Sequence, residues 1–365
     1  MVAVVLITAL IALIFSFTNG MNDAANCIAS VVATKALPPI YAVLWAAFWI
    51  FSALFIFDLT VASTMGKGIV NECCIDVYVI LAALAGSVLW IFTCTKLGLP
   101  ISASHALIGG LIGPVWFVYG SQYLVTSGIL TILAFIVISP LLGMVMGFFL
   151  NCIFMAIFKN CSLKKTDKGF RRMQLISSAA FSLGFGGNDG QKTMGIIAVL
   201  LASAFASQPD SPVIQFLYGN GAVEAGVYTA AGEAVENAAF YVPTWLKLTC
   251  YGLISIGAIT GGWKVIRTLG DGLSKIYPVQ GFCAEASGAI TLIMTAVLGI
   301  PVSTTHTITG SIIGTGLTRG IKSVKWMTAK NIVWAWVLTI PAVVVVSGLI
   351  YLAMTHLLGC PVKQL

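Results

Sequence analysis

The stretch GLPISASHALIGGLIG at 98–113 occurs a second time, as GIPVSTTHTITGSIIG at 299–314. Sliding the second copy back 201 positions superimposes Gly98 on Gly299, Pro100 on Pro301, Ser102 on Ser303, His105 on His306, Gly109 on Gly310 and Gly113 on Gly314. The same offset brings Ala134 onto Ala335, Pro140 onto Pro341 and Gly147 onto Gly348. Upstream, FSFTNGMND at 15–23 matches FSLGFGGND at 181–189 at an offset of 166. The chain is therefore a duplication, with about 35 extra residues inserted in its second half. Each half carries one Asn-Asp segment and one Pro-Ser-His segment inside otherwise apolar sequence.

That apolar surround fixes the class. Hydrophobic residues fill 59% of the 365 positions and charged ones 8%, with a mean hydropathy of +1.00. A soluble chain of this length needs far more surface charge, so the expectation is a polytopic membrane protein. Runs such as 2–17 and 41–57 are apolar all round rather than alternating, which favours an all-α protein over a barrel. The first 17 residues lack a basic leader and a small-residue cleavage site and read as the first half of a mature helix. The nine cysteines form no CxxC or His/Cys ligand pattern and read as small apolar helix residues.

Of the 19 Lys and Arg, 13 fall in three stretches, 159–172, 264–275 and 319–330. The positive-inside rule turns these toward the cytoplasm, so the net charge of +7 reflects topology and no nucleic-acid partner is expected. The expected organisation is a first membrane repeat at 1–158, a basic cytoplasmic linker at 159–172, and a second repeat at 173–365. Within the second repeat, an acidic, turn-rich external insertion is expected at about 202–240, with some helix at 223–241. Counting crossings from the basic linker puts both termini outside and runs the halves in opposite senses. The expected fold is an inverted-topology repeat with discontinuous helices and two helical hairpins, in the cell membrane. The first helix is expected to break at Thr18–Asn26, and the second crossing to run from Ile40 to Met65 with Asp58 near its outer end.

The polar residues then have a use. A half-helix starting at mid-depth offers unpaired N–H groups and a positive dipole end, which attract an anion. Ser102, Ser104 and His105 follow Pro100; Ser303, Thr304, Thr305 and His306 follow Pro301. Two such starts meeting would surround a small tetrahedral oxyanion, although the hydroxyls could simply cap kinked helices. Asp23 and Asp189, flanked by Asn22, Asn26, Asn188 and Gln191, offer the oxygen-rich surroundings that suit a hard monovalent ion such as Na⁺. Lys192 could pair with Asp189 or touch the anion. Glu285 has Leu84 at the equivalent position of the first half, and a snorkelling interfacial role is as open as a functional one. No bound cofactor is expected beyond Na⁺ as coupling ion. The GxxxG pairs allow close helix contact, within a chain or in a homodimer.

The motifs NGMNDAAN, GGNDGQKTMG, PISASH and PVSTTH resemble those of the inorganic phosphate transporter family, the sodium/phosphate symporters and prokaryotic phosphate permeases, in order along the whole chain. The resemblance implies a symporter, commonly Na⁺-coupled and sometimes H⁺-coupled. Phosphate would be held at the Ser/Thr-rich tips (Ser102, Ser104, His105, Ser303, Thr304, Thr305, His306, with Gln191 and Lys192). The cation would sit at Asn22, Asp23, Asn26, Asn188 and Asp189. Here 159–172 stands where eukaryotic relatives carry a long cytoplasmic domain, so regulation through such a domain is not expected. The alternatives are a metal–phosphate or sulfate permease, a channel, or an intramembrane enzyme. The duplicated polar set suits binding better than the unequal nucleophile and base roles that an enzyme requires.

Overall fold

The computed structural model describes residues 2–59, 61–62, 69–229, 231–233, 241–298 and 302–358. The first half contains α1 (Val2–Ala33), α2 (Pro39–Ser52), α3 (Val77–Leu97), α4 (Ala103–Tyr119) and α5 (Thr126–Ile157). In the second half come α6 (Leu163–Phe185), a π-helical turn at Gly186–Gly190, and α7 (Gln191–Ser207). They are followed by α8 (Thr244–Thr260), α9 (Trp263–Gly270), α10 (Pro278–Val297), α11 (Thr304–Leu317) and α12 (Trp326–Leu358). No named strand occurs among the described residues; two isolated bridges, Val70 with Leu124 and Ser274 with Val324, close the bases of the hairpins. Among the described residues, five helical runs are long and apolar enough to cross a membrane: Val2–Ala33, Val77–Leu97, Thr126–Ile157, Leu163–Ser207 and Trp326–His356.

The duplication is visible in the elements. Adding 201 to α3, α4 and α5 lands on α10, α11 and α12 to within a few residues. The halves also pack reciprocally: α4 lies on α12, and α11 on α5. Glycine makes both contacts possible. A Cβ on Gly310 would stand 2.0 Å from the Pro140 carbonyl oxygen, and one on Gly109 would stand 2.8 Å from that of Ile340. The repeated glycines thus make one kind of contact twice, each against a main-chain carbonyl of the long helix of the other half, at Pro140 in one case and at Ile340, just before Pro341, in the other.

Several expectations need correction. α1 is helical from end to end, with no break at Thr18–Asn26. Its polar side chains are buried, and Asn22, Asp23 and Asn26 meet partners on neighbouring elements without the backbone unwinding. Gly20 serves a close approach instead: a Cβ there would come within 2.0 Å of the Ile254 carbonyl oxygen on α8. In the second half the Asn-Asp segment is a π turn inside a continuous run of 45 residues, which adds one residue per turn without freeing the chain. The broken backbone lies at the hairpin tips. Gly98 caps α3 with φ 78°, and α4 starts only after Ser102.

The second crossing stops at Ser52, with one 3₁₀ turn to Phe55, so Asp58 lies beyond the helix; Met65 falls outside the described residues. Most of the basic stretch 159–172 is the first turns of α6 rather than a loop, and α9 occupies much of 264–275. The insertion is better packed than an external loop. Short helical turns at 212–224 bury Ile214, Tyr218 and Ala222, with Tyr218 against Phe205, Tyr228 and Tyr241. The helix expected at 223–241 ends at Glu224, although residues 230 and 234–240 lie outside the described set. Pro301 also lies outside it.

Candidate functional site

The two hairpin tips meet. α4 and α11 each start with a serine N-cap: Ser102 Oγ accepts from the His105 N–H at 3.4 Å, and Ser303 Oγ from the His306 N–H at 3.3 Å. These serines hold the helix starts open toward each other. Immediately inside, the His105 and His306 rings lie edge to face with centroids 4.8 Å apart, and His306 stacks on Trp336 at 3.8 Å. Trp336 Nε1 donates to the Pro100 carbonyl at 3.0 Å, fastening the first tip to α12.

Around this pair lie the remaining hydroxyls and the two Asn-Asp segments, all buried. The Thr305 hydroxyl stands 3.0 Å from Asp23 Oδ1 and 3.1 Å from the Ile101 carbonyl oxygen, and accepts from Asn26 Nδ2 at 2.9 Å. Asn22 Nδ2 reaches Asp23 Oδ1 at 2.8 Å and the Ile101 carbonyl at 3.1 Å, while Asn22 Oδ1 accepts from Thr95. On the other side Lys192 is ion-paired with Asp189. Its Nζ also donates to Ser104 Oγ at 2.7 Å and to the Val302 carbonyl at 2.8 Å. Thr304 Oγ1 donates to Asp189 Oδ2 at 3.2 Å. Two carboxylates and one ammonium therefore share a water-poor centre, with neutral oxygens from both halves around them.

Of the residues singled out in sequence, Asn22, Asp23, Asn26, Asp189, Lys192, Ser104, Thr304, Thr305, His105 and His306 converge here. Asn188 is buried in the π turn beside Asp189. Ser102 and Ser303 act at the site's edge as caps. Gln191 points elsewhere: its Oε1 accepts from the Val61 and Ala62 N–H groups at 3.0 and 3.1 Å, and its Nε2 donates to the Asp58 carbonyl at 2.7 Å. The amide is spent on holding the chain after α2. The main-chain oxygens of Ile101 and Val302 have no side-chain signature, so sequence reasoning missed them. Thr95 and Trp336 were missed because each reads as an ordinary helix residue.

Glu285 is not interfacial. It is fully buried and accepts from Ser30, from Ser177 Oγ at 2.7 Å and from Gln174 Nε2 at 3.2 Å; Gln174 in turn accepts from Thr34 at 2.7 Å. This network joins α1, α6 and α10. A lone glutamate in an apolar arm was the only available signal, and its partners lie over 100 residues away.

A helical bundle that spans the membrane and brings two polar hairpin tips together at a buried, charged centre has the build of a membrane transporter. Comparison with known proteins agrees. The model of the phosphate transporter family matches residues 19–347. A "Probable low-affinity inorganic phosphate transporter" of Rhizobium meliloti is 44% identical over 343 residues, covering 94% of each chain. A relative of the same description from Bacillus subtilis is 36% identical, covering 93% of this chain and 94% of its own. Among solved structures, one titled "The sodium-dependent phosphate transporter" shares the fold, with a TM-score of 0.78 at 24% identity over 97% of this chain and 99% of that one. The chain belongs to the phosphate transporter family.

Proposed function

We propose that this protein imports inorganic phosphate across the cell membrane by symport with Na⁺, holding phosphate between the two hairpin tips and Na⁺ beside Asp23. The observation that carries the reading is the meeting of the α4 and α11 N-termini at a buried centre, since each start directs N–H groups and a positive dipole end toward the same small volume. Hydroxyls of Ser104, Thr304 and Thr305 and the ring nitrogens of His105 and His306 add donors for a tetrahedral oxyanion. Asp23, Asn22 and Asn26 add the oxygens that a hard monovalent ion prefers.

The inverted repeat belongs to the same reading. Taking α1, the shorter apolar run Pro39–Phe55 and α5 as one crossing each, and the α3–α4 hairpin as returning the chain to the side it left, starts the second half from the opposite face. The basic turns at the start of α6, α9 and the residues after α11 then share the cytoplasmic side, as the charge bias requires. Alternating exposure of one central site to the two faces is what such paired halves can provide.

Uptake of labelled phosphate into proteoliposomes, with Na⁺ and H⁺ gradients imposed separately, tests the proposal. Uptake driven by the Na⁺ gradient and competed by arsenate more than by sulfate is expected. Uptake that follows only the pH gradient would replace Na⁺ by H⁺, and the absence of phosphate flux under either gradient would end the reading.

A further inference from the structure

The two halves place the same kinds of group around the centre, with one exception. At the repeat offsets Asp23 corresponds to Asp189, Thr305 to Ser104, and the Ile101 carbonyl to that of Val302. In the first set the Thr305 hydroxyl lies between Asp23 Oδ1 at 3.0 Å and the Ile101 oxygen at 3.1 Å. In the second set the same three ligand types, a carboxylate, a hydroxyl and a main-chain carbonyl, are gathered by one atom, Lys192 Nζ.

The residue equivalent to Lys192 in the first half is Asn26. Its Nδ2 donates to Thr305, but its Oδ1 is buried and has no hydrogen-bond partner; the same holds for Oδ1 of Asn19. Asn19, Asp23 and Asn26 stand at i, i+4 and i+7 on the unbroken α1, so all three lie on one helix face. A buried amide oxygen without a donor is costly, and two beside a carboxylate describe the lining of a cation position. The first position thus offers oxygens with no positive charge among them. The second already holds one.

We propose that the Lys192 ammonium is a tethered cation filling the second of two repeat-related cation positions, so that this chain binds one soluble cation, at Asp23, where its duplicated architecture has room for two. The inference rests on reading this centre as a cation-coupled site. Charge balance points the same way: with both carboxyls ionised, one fixed ammonium leaves a single negative charge in a buried place, which one monovalent cation neutralises. An ion entering at Asp189 would have to displace a group that is covalently held three residues away and has all three of its donors engaged.

The test counts Na⁺ bound per purified, monodisperse chain by equilibrium dialysis against radioactive Na⁺, which requires no transport activity. Lys192→Gln, which returns a neutral amide to the second position, is expected to bind one more Na⁺ than the unmodified protein. Asn26→Lys, which copies the second half into the first, is expected to weaken Na⁺ binding at least tenfold. Equal Na⁺ counts in the unmodified protein and Lys192→Gln, or undiminished binding in Asn26→Lys, overturn the inference. Phosphate uptake by the unmodified protein, measured separately, decides the underlying functional reading whatever the counts are.

Discussion

At the scale of single residues, the two halves of the site are joined by polar groups that reach across elements. Thr305 touches α1 and the opposite hairpin tip; Ser104 receives the lysine of α7. If these hydroxyls serve phosphate, Ser104→Ala and Thr305→Ala should each weaken phosphate binding by about 1–3 kcal/mol, the cost of a donor lost to a charged group. Calorimetric titration with phosphate measures this, and unchanged affinity in both variants would move the anion away from the tips. Asp23→Asn removes the charge facing Na⁺ while keeping an oxygen. Because the affinities of two ligands bound together are reciprocally linked, phosphate binding by that variant should weaken in Na⁺ and lose most of its dependence on Na⁺ concentration. Phosphate affinity that keeps the full Na⁺ dependence would place the coupling ion elsewhere.

At the scale of elements, the hairpins are held by backbone-to-backbone contact that tolerates no side chain. Gly310→Ala would push a methyl to 2.0 Å from the Pro140 carbonyl oxygen on α5, and α11 would have to move. Overpacking of this kind costs about 1–3 kcal/mol, so a clear drop in the thermal midpoint in detergent is expected. Gly169→Ala on α6 is the contrast: nothing lies within 4 Å of the new methyl, and alanine favours the helix, so stability should hold or rise slightly. Equal losses in both variants would show that the close approach is not what holds the hairpin. The Glu285 network acts at the same scale, joining three helices through one carboxylate, and Glu285→Leu would leave Ser30, Ser177 and Gln174 without their acceptor.

At the scale of the whole molecule, the orientation of the halves is open to direct measurement. Cys161 is exposed in the turn just before the basic start of α6, whereas Phe216 is 80% exposed in the insertion. With Cys73, Cys152 and Cys360 removed, an impermeant thiol reagent applied to intact cells should label Phe216→Cys and miss Cys161, which should react only after permeabilisation. Labelling of Cys161 from outside would reverse the orientation. The membrane class, the helical content, the duplication, the two hairpins and most of the polar centre were legible in the sequence. Each leaves a one-dimensional trace: hydropathy is a sum over a window, a repeat is a self-match, and a polar group in an apolar span stands out wherever it occurs. What the sequence could not decide is how those polar groups are satisfied. Asn and Asp in a span suggest an unwound helix when their partners are unknown, yet α1 stays whole because Thr305, lying 282 positions along the chain from Asp23, supplies the missing hydrogen bond. Glu285 looks interfacial until three helices close around it. Lys192 reads equally as an ion pair or an anion ligand until its three contacts are seen together with their counterparts in the other half. Those choices depend on distances between residues far apart in the chain, and only packing sets such distances.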